Sequence, residues 1–340
     1  MKKSCTCLLS TLALFGLATV CTAAPILYPV VVGGRWGYGD KSGQTVINPQ
    51  FDRAESFAEG LAPVKMGRWG YADPSGKIAI NPQFDKAEVF SEGLAAVKLG
   101  GGGPVPFDPR PWSPFAGGGG RYGFVDSTGK YVINPQFDDA LSFSGGYAAV
   151  KMGHWGFVDK AGKVVVNPQF DEAGSFSEGL AVIKMGGHFG YTDNTGKLVI
   201  NPQFERAMPF SEGLAAVRSG GKWGFVNKSG NLTINPQFDD AGSFTKGLAP
   251  VRDGKHWGFI NASGKFIINA QFDSAASFSE GLAPVRQSGH WGFVDPTGKL
   301  TINPQFDEAA GFTNGLARVK VSGRFGYVDS TGKYVWQPTN

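Results

Sequence analysis

A pair of residues, an aromatic followed by glycine, recurs nine times in the 340 residues: Trp36-Gly37, Trp69-Gly70, Tyr122-Gly123, Trp155-Gly156, Phe189-Gly190, Trp223-Gly224, Trp257-Gly258, Trp291-Gly292 and Phe325-Gly326. The intervals run 33, 53 and 33 residues and then 34 five times, so the long one is a single period carrying 20 extra residues. Around each pair runs the pattern WGFVDxxGKxVINPQFDxAxxFSEGLAxVK, as in residues 155–184. A unit of 34 residues falls short of the roughly 40 that usually make an autonomous core, so each unit must finish its burial against a neighbour.

Within the unit, Trp155, Phe157 and Asp159 alternate with Gly156 and Val158, the period-two pattern of a strand. A side-chain-free position repeated in every copy implies that another backbone or a ring packs closely there. Asp159 and Gly162 supply a turn leading into Val164-Val165-Val166, which makes a hairpin. Asn167-Pro168 is expected to stop pairing, because proline has no N–H. The stretch from Gln169 to Gly179 is too short for a crossover helix and reads as a loop or single helical turn pinned by Phe170, Ala173 and Phe176. Leu180–Lys184 forms a third strand. Counting the segment Tyr28–Val32 and the last hairpin near Trp336, nine three-stranded meanders are joined by eight excursions.

The expected fold is therefore all-β: tandem 33–34-residue repeats of short antiparallel meanders stacked into an open, curved superhelix or solenoid. A closed propeller-like ring is the alternative. Nine blades exceed the typical four to eight, and no strand exchange that would lock a ring is evident, which favours the open form. Strands of about five residues are too short for a membrane β-barrel, whose strands need 9 to 11.

These residues resemble the WG repeat family, also called KWG repeats, over about residues 28–336. The aromatic-Gly pair carries the resemblance, together with an acid after the NPQF or NAQF segment at Asp52, Asp85, Asp138, Asp171, Glu205, Asp239, Asp273 and Asp307. Departures are mild: Ala270 replaces the proline, and Gly145, Lys246 and Asn314 replace the Glu of SEG. The resemblance implies a β-rich bacterial repeat scaffold without a common catalytic motif, and it transfers no site residues.

The first residues have a different character. A basic start, an apolar stretch from Leu8 to Val20 and small residues up to Ala24 have the layout of a secretory signal, with cleavage expected after Ala23. The mature domain would then span residues 24–340 in the periplasm or outside the cell. Val20 is bulkier than the residue preferred ahead of a lipidated cysteine, which speaks against anchoring at Cys21. No later apolar run approaches the ~20 residues of a spanning helix. All three cysteines (Cys5, Cys7, Cys21) lie in the leader, so disulfides, cysteine-ligated zinc and thiol nucleophiles are excluded from the mature chain. Removing Lys2 and Lys3 takes the formal charge from +4 to +2, too weak to imply nucleic acid or a membrane surface as partner.

Chemistry is sparse. His154, His188, His256 and His290 each precede an aromatic-Gly pair and so form a row along the repeats rather than a converging metal site. The acid after each Phe is expected to accept backbone hydrogen bonds at the excursion's turn. No phosphate-binding loop, nucleophile elbow or zinc-protease signature is present, so no catalytic residue, metal ligand or cofactor is assigned. The repeated tryptophans read as packing anchors. The rhythm breaks at residues 100–120, GGGGPVPFDPRPWSPFAGGGG followed by Arg121, inserted between a strand and its hairpin partner. Arg110, Trp112 and Phe115 on this loop are the candidate binding residues, since such side chains are enriched in binding hot spots. The expected function is an exported, non-catalytic scaffold for a protein or cell-envelope polymer. The alternatives are a glycan- or peptidoglycan-binding module, and a hydrolase whose site forms where repeats converge.

Overall fold

Each unit folds into one antiparallel sheet, and the computed structural model, which describes residues 25–100 and 120–339, contains nine such sheets among those residues. The first consists of Tyr28–Val32, Arg35–Gly39 and Thr45–Phe51. The second consists of Arg53–Ala54, Ala62–Met66, Arg68–Ala72 and Ile78–Phe84, and this four-stranded pattern repeats to the end. The excursion thus contributes a short strand of its own, Arg53 and Ala54 pairing with Lys65 and Val64. In the fifth unit this strand lengthens to Glu172–Ser177.

The repeated glycine lies beneath a bulge. Trp155 pairs with Phe170 and Phe157 with Val166, so a single residue, Gly156, faces Asn167, Pro168 and Gln169. A Cβ on Gly156 would stand 2.5 Å from the Val166 carbonyl oxygen and 2.8 Å from the Pro168 nitrogen, a space no side chain can enter. The close neighbour expected from sequence is therefore the partner strand's backbone. Asn-Pro does not end pairing as expected, since Val164–Phe170 runs through Pro168 as one strand. That strand is the last in its sheet, so a residue without an N–H costs no ladder bond there and also blunts a free edge.

Both faces of the central strand are covered. Phe157 and Val158 are each 0% exposed although they point in opposite directions, because neighbouring sheets stack on either side. The core accordingly lies between sheets. Ile47 packs with Ala72, Ile80 with Val125, Ile133 with Val158 and Ile302 with Val328, each pair joining one unit to the next. The excursion phenylalanine adds a ring, as where Phe176 meets Phe157 at 4.8 Å between centroids.

The stack closes on itself, so the open superhelix is incorrect and the protein is a nine-bladed β-propeller. Blade 9 (308–339) packs directly on blade 1 (28–51): Tyr327 Oη donates to the Pro29 carbonyl at 2.9 Å, Tyr28 Oη to the Asn314 carbonyl at 2.6 Å, and Trp336 Nε1 to the Asp40 carbonyl at 3.0 Å. Side chains, not an exchanged strand, make the lock. Trp336 stands where the other units have Ile or Val, and Gly39 stands where they have Ala, Val, Ile or Thr. A Cβ on Gly39 would fall inside the Trp336 indole, so the two departures fit one another. Tyr28 likewise replaces the alanine of units such as Ala62 and sets its ring 5.5 Å from Tyr327. Complementary departures in the first and last units are needed by a ring and have no role in an open stack.

Candidate functional site

Several of the acids that follow Phe join consecutive blades. Asp52 Oδ2 accepts the N–H of Gly67 at 2.7 Å while its other oxygen pairs with Arg35 of the preceding blade. Asp138 repeats this with Gly153 and Arg121, and Asp239 with Gly254 and Lys222. The backbone bond expected from sequence is present, but its donor is the hairpin glycine about half a unit onward rather than the acid's own turn. One carboxylate thereby holds three segments together.

The SEG glutamates make a second set of joints. Glu59 and Gly60 have φ of 51° and 86°, both left-handed, in a tight turn bridged between Ala58 and Leu61. Such a turn favours Asn-Gly, and a glutamate at positive φ costs roughly 1 kcal/mol. Its carboxylate offsets the strain by reaching the next turn, where Glu59 accepts from the N–H groups of Glu92 and Gly93 at 2.7 and 2.8 Å. Glu212 does the same for Lys246 and Gly247, and Glu280 for Asn314 and Gly315. Partial burial pushes the Glu178 carboxyl up, but the Lys228 ammonium and the Gly213 N–H outweigh it and leave this acid below its ordinary value. Nothing in a single unit announces this relay. The available signal is a glutamate recurring at a turn position where asparagine or glycine is the usual choice.

At five joints among the described residues a serine adds a further bond, Ser279 Oγ to the Phe312 carbonyl among them. Ser91 Oγ donates to the Phe143 carbonyl, Ser144 to Phe176, Ser177 to Phe210 and Ser211 to Phe244, all at 2.7 Å. Excursions therefore touch around the ring. Nine blades in one chain have eight connections, whereas a ring of nine has nine seams, so one seam has no connecting excursion. There, between blades 9 and 1 and reaching blade 2, lies a cavity of about 490 Å³. Tyr28, Trp36 and Tyr327 form part of its wall, with Phe57, Glu59 and Gly60 on one side and Thr313, Asn314 and Arg318 on the other. Burial raises the Tyr327 hydroxyl to about 12, so it stays protonated and donates to Pro29. Arg318, set where other blades have Pro, Ala or Val, has its guanidinium 4.9 Å from the Phe325 ring and no ion pair among the described residues.

Arg110, Trp112 and Phe115 lie outside the described residues, as does the segment 1–23 read from sequence as a secretory signal, so the structure places none of them. It does place the base of the insertion. Leu99 and Arg121 pair across the hairpin, and a Cβ on Gly100 would sit 3.3 Å from the Gly120 Cα. The insertion thus leaves the ring where other blades make a tight turn such as Gly186-Gly187. The four histidines are exposed at those turns, one to a blade, and no group of three or more His, Cys, Asp or Glu residues among the described residues could hold a metal. The repeated aromatic residues are mostly half-buried, and all but Trp36, which faces Val31, stand opposite a Lys or Arg of the neighbouring strand; Lys184 Nζ stands 5.2 Å from the Phe189 ring. No helix among the described residues is long and apolar enough to cross a membrane.

The family described as "WG containing repeat" matches residues 36–68, 69–102, 122–153, 155–187, 189–223, 223–255, 257–289 and 291–324. The chain is a WG-repeat protein. Its matched units coincide with blades offset by part of a repeat, each running from one aromatic-Gly strand to the next. No curated protein matches this WG-repeat chain in sequence. Among solved structures it is similar to one described as the eukaryotic initiation factor, at 10% identity and a TM-score of 0.64, over 91% of this chain and 95% of that one. It is also similar to the dihydro-heme d1 dehydrogenase NirN, at 12% identity and a TM-score of 0.47, over 96% and 76%. At such identities likeness concerns the fold alone.

Proposed function

We propose that this WG-repeat propeller is an exported, non-catalytic scaffold that binds a protein or cell-envelope polymer. The observation that carries the reading is the use to which the repeated polar side chains are put. Most of the acids after Phe and the SEG glutamates, the groups a hydrolase would draw on, are engaged in hydrogen bonds and ion pairs that hold the ring. What the described ring offers is repeated surface and the cavity at the closing seam, with the insertion starting after Gly100. Similar weak contacts repeated around a rigid ring suit binding by avidity. The glycan alternative needs aromatic faces open to a sugar, and cross-strand cations cover part of those faces.

The test is co-sedimentation of the protein with insoluble cell-wall polymer and, in parallel, capture of envelope proteins. A variant with residues 101–119 replaced by a two-glycine turn runs beside it. Binding by both forms assigns recognition to the ring, and loss in the shortened form assigns it to the loop bearing Arg110, Trp112 and Phe115. Turnover of a substrate, abolished by changes in one blade while stability holds, would refute the scaffold reading.

A further inference from the structure

Resting on that scaffold reading, we infer that the closing seam is a docking slot for an extended segment of a partner protein carrying Ser-Glu or Thr-Glu. The argument starts from what fills the same place elsewhere in the ring. At an interior joint the incoming excursion presents three polar groups, a phenylalanine carbonyl and two turn N–H groups. At two joints the preceding excursion serves all three with a serine hydroxyl and a glutamate carboxylate: Ser211 and Glu212 serve Phe244, Lys246 and Gly247, and Ser279 and Glu280 serve Phe312, Asn314 and Gly315. In blade 2 the equivalent groups are the Phe57 carbonyl and the N–H groups of Glu59 and Gly60, and all three residues line the 490 Å³ cavity. No described residue bonds to those groups. Two consecutive N–H groups in a left-handed turn form a concavity suited to a carboxylate.

Two further observations point to an acidic occupant of limited bulk. Arg318, its guanidinium over the Phe325 ring and without an ion pair among the described residues, lines the opposite wall at a position where the other blades carry Pro, Ala or Val. Interior excursions also insert a phenylalanine against the preceding blade's ring, but here Tyr28 already occupies that side of Tyr327 at 5.5 Å. The visiting segment therefore needs its hydroxyl and carboxylate but no aromatic residue. Turns that follow a non-acidic residue occur elsewhere, at Glu178-Gly179 after Gly145 and at Glu280-Gly281 after Lys246. Those joints are bridged by a connecting excursion, whereas among the described residues the seam joins the open N–H pair to a cavity with room for a chain.

The probe is a fluorescent peptide with the sequence of residues 171–180 in which alanine replaces Phe176, DEAGSASEGL, titrated into the purified chain by anisotropy and calorimetry. One peptide per chain is expected, with affinity falling about tenfold when the glutamate of its Ser-Glu pair, equivalent to Glu178, becomes alanine, the loss of a charge-assisted bond. Arg318→Ala should weaken binding similarly, and because Ala149 and Ala216 hold this position in other blades the variant keeps the fold. Absence of binding, indifference to the peptide glutamate, or three peptides per chain would overturn the proposal, the last by showing that open turns suffice without the cavity. Binding only after removal of residues 1–23 would make the chain's own leader the occupant, and dimerisation abolished by Arg318→Ala would make it a second copy; either outcome also overturns it. Unaltered co-sedimentation of Arg318→Ala with a polymer would leave the scaffold reading standing while the peptide result decides the slot.

Discussion

Replacing Gly39 by valine tests ring closure directly. The new Cβ would occupy the Trp336 indole, so that ring must leave the seam. Truncating a buried tryptophan costs about 3–5 kcal/mol, and Trp336 is half-buried, which brings the packing loss to about 2 kcal/mol. Its Nε1 bond to the Asp40 carbonyl adds about 1 kcal/mol. Gly39→Val alone should therefore destabilise by about 3 kcal/mol, and Trp336→Ile alone by about 2 kcal/mol through the void it leaves. The double variant rebuilds the Val-Ile pairing used by Val328 with Ile302 and should lie within about 1 kcal/mol of the parent. Urea unfolding followed by far-UV circular dichroism gives the three values. Hydrogen exchange over residues 28–39 and 324–336 then reports whether the seam opens before the rest. Additivity of the two single changes to within about 0.5 kcal/mol would refute the claim that these residues are matched across a closed seam.

Four further outcomes follow from the geometry. Gly156→Ala, whose methyl would lie 2.5 Å from the Val166 oxygen, should disrupt the bulge and cost about 3 kcal/mol or more, seen as a lowered urea midpoint. Glu212→Ala should destabilise by about 1–2 kcal/mol because it keeps the strained backbone and loses both N–H bonds, whereas Glu212→Gly should cost less by relieving φ of 55°; equal losses would show that strain has no part. Side-chain bonds from Ser42, Thr128, Thr195 and Thr297 hold Asp40, Asp126, Asp193 and Asp295 below the ordinary value of 3.8. Depressed carboxylates bind fewer protons folded than unfolded, so their stabilisation is complete above about pH 4 and fades as the pH falls through the depressed values; a Ser42→Ala, Thr128→Ala, Thr195→Ala, Thr297→Ala variant should show a shallower acid loss in urea titrations. Exchanging residues 101–119 for two glycines should leave the melting temperature within about 2 °C, because Leu99 and Arg121 already pair at the base.

Much of the blade was legible because its devices repeat. The aromatic-Gly period gave the unit, the Asp159-to-Gly162 turn gave the hairpin, and the bare glycine face correctly implied a close backbone. Misreadings came where a residue's meaning depends on its neighbours in space. Pro168 looks like a terminator until its strand is known to be an edge, and period-two patterning hides that Phe157 and Val158 are both buried. Closure was missed because its signal is a mismatch rather than a match: Gly39, Tyr28 and Trp336 depart from consensus hundreds of residues apart, and only their meeting explains them. The Glu relay was hidden for a related reason, since its donors belong to the following unit.

The matched pair Gly39 and Trp336 also bears on how a chain of near-identical modules finds its own ends. Eight of the nine seams use nearly the same chemistry, so a nascent blade could join the wrong blade, or a blade of another chain, at little energetic penalty. A tryptophan that fits only opposite a glycine removes that degeneracy. It acts as an address label: blade 9 docks on blade 1 and on no interior blade, because Val125, Val158 or Val328 would refuse the indole. The first blade, made earliest during synthesis, waits for the last, and intramolecular closure wins over concatenation of several chains into larger rings or open filaments.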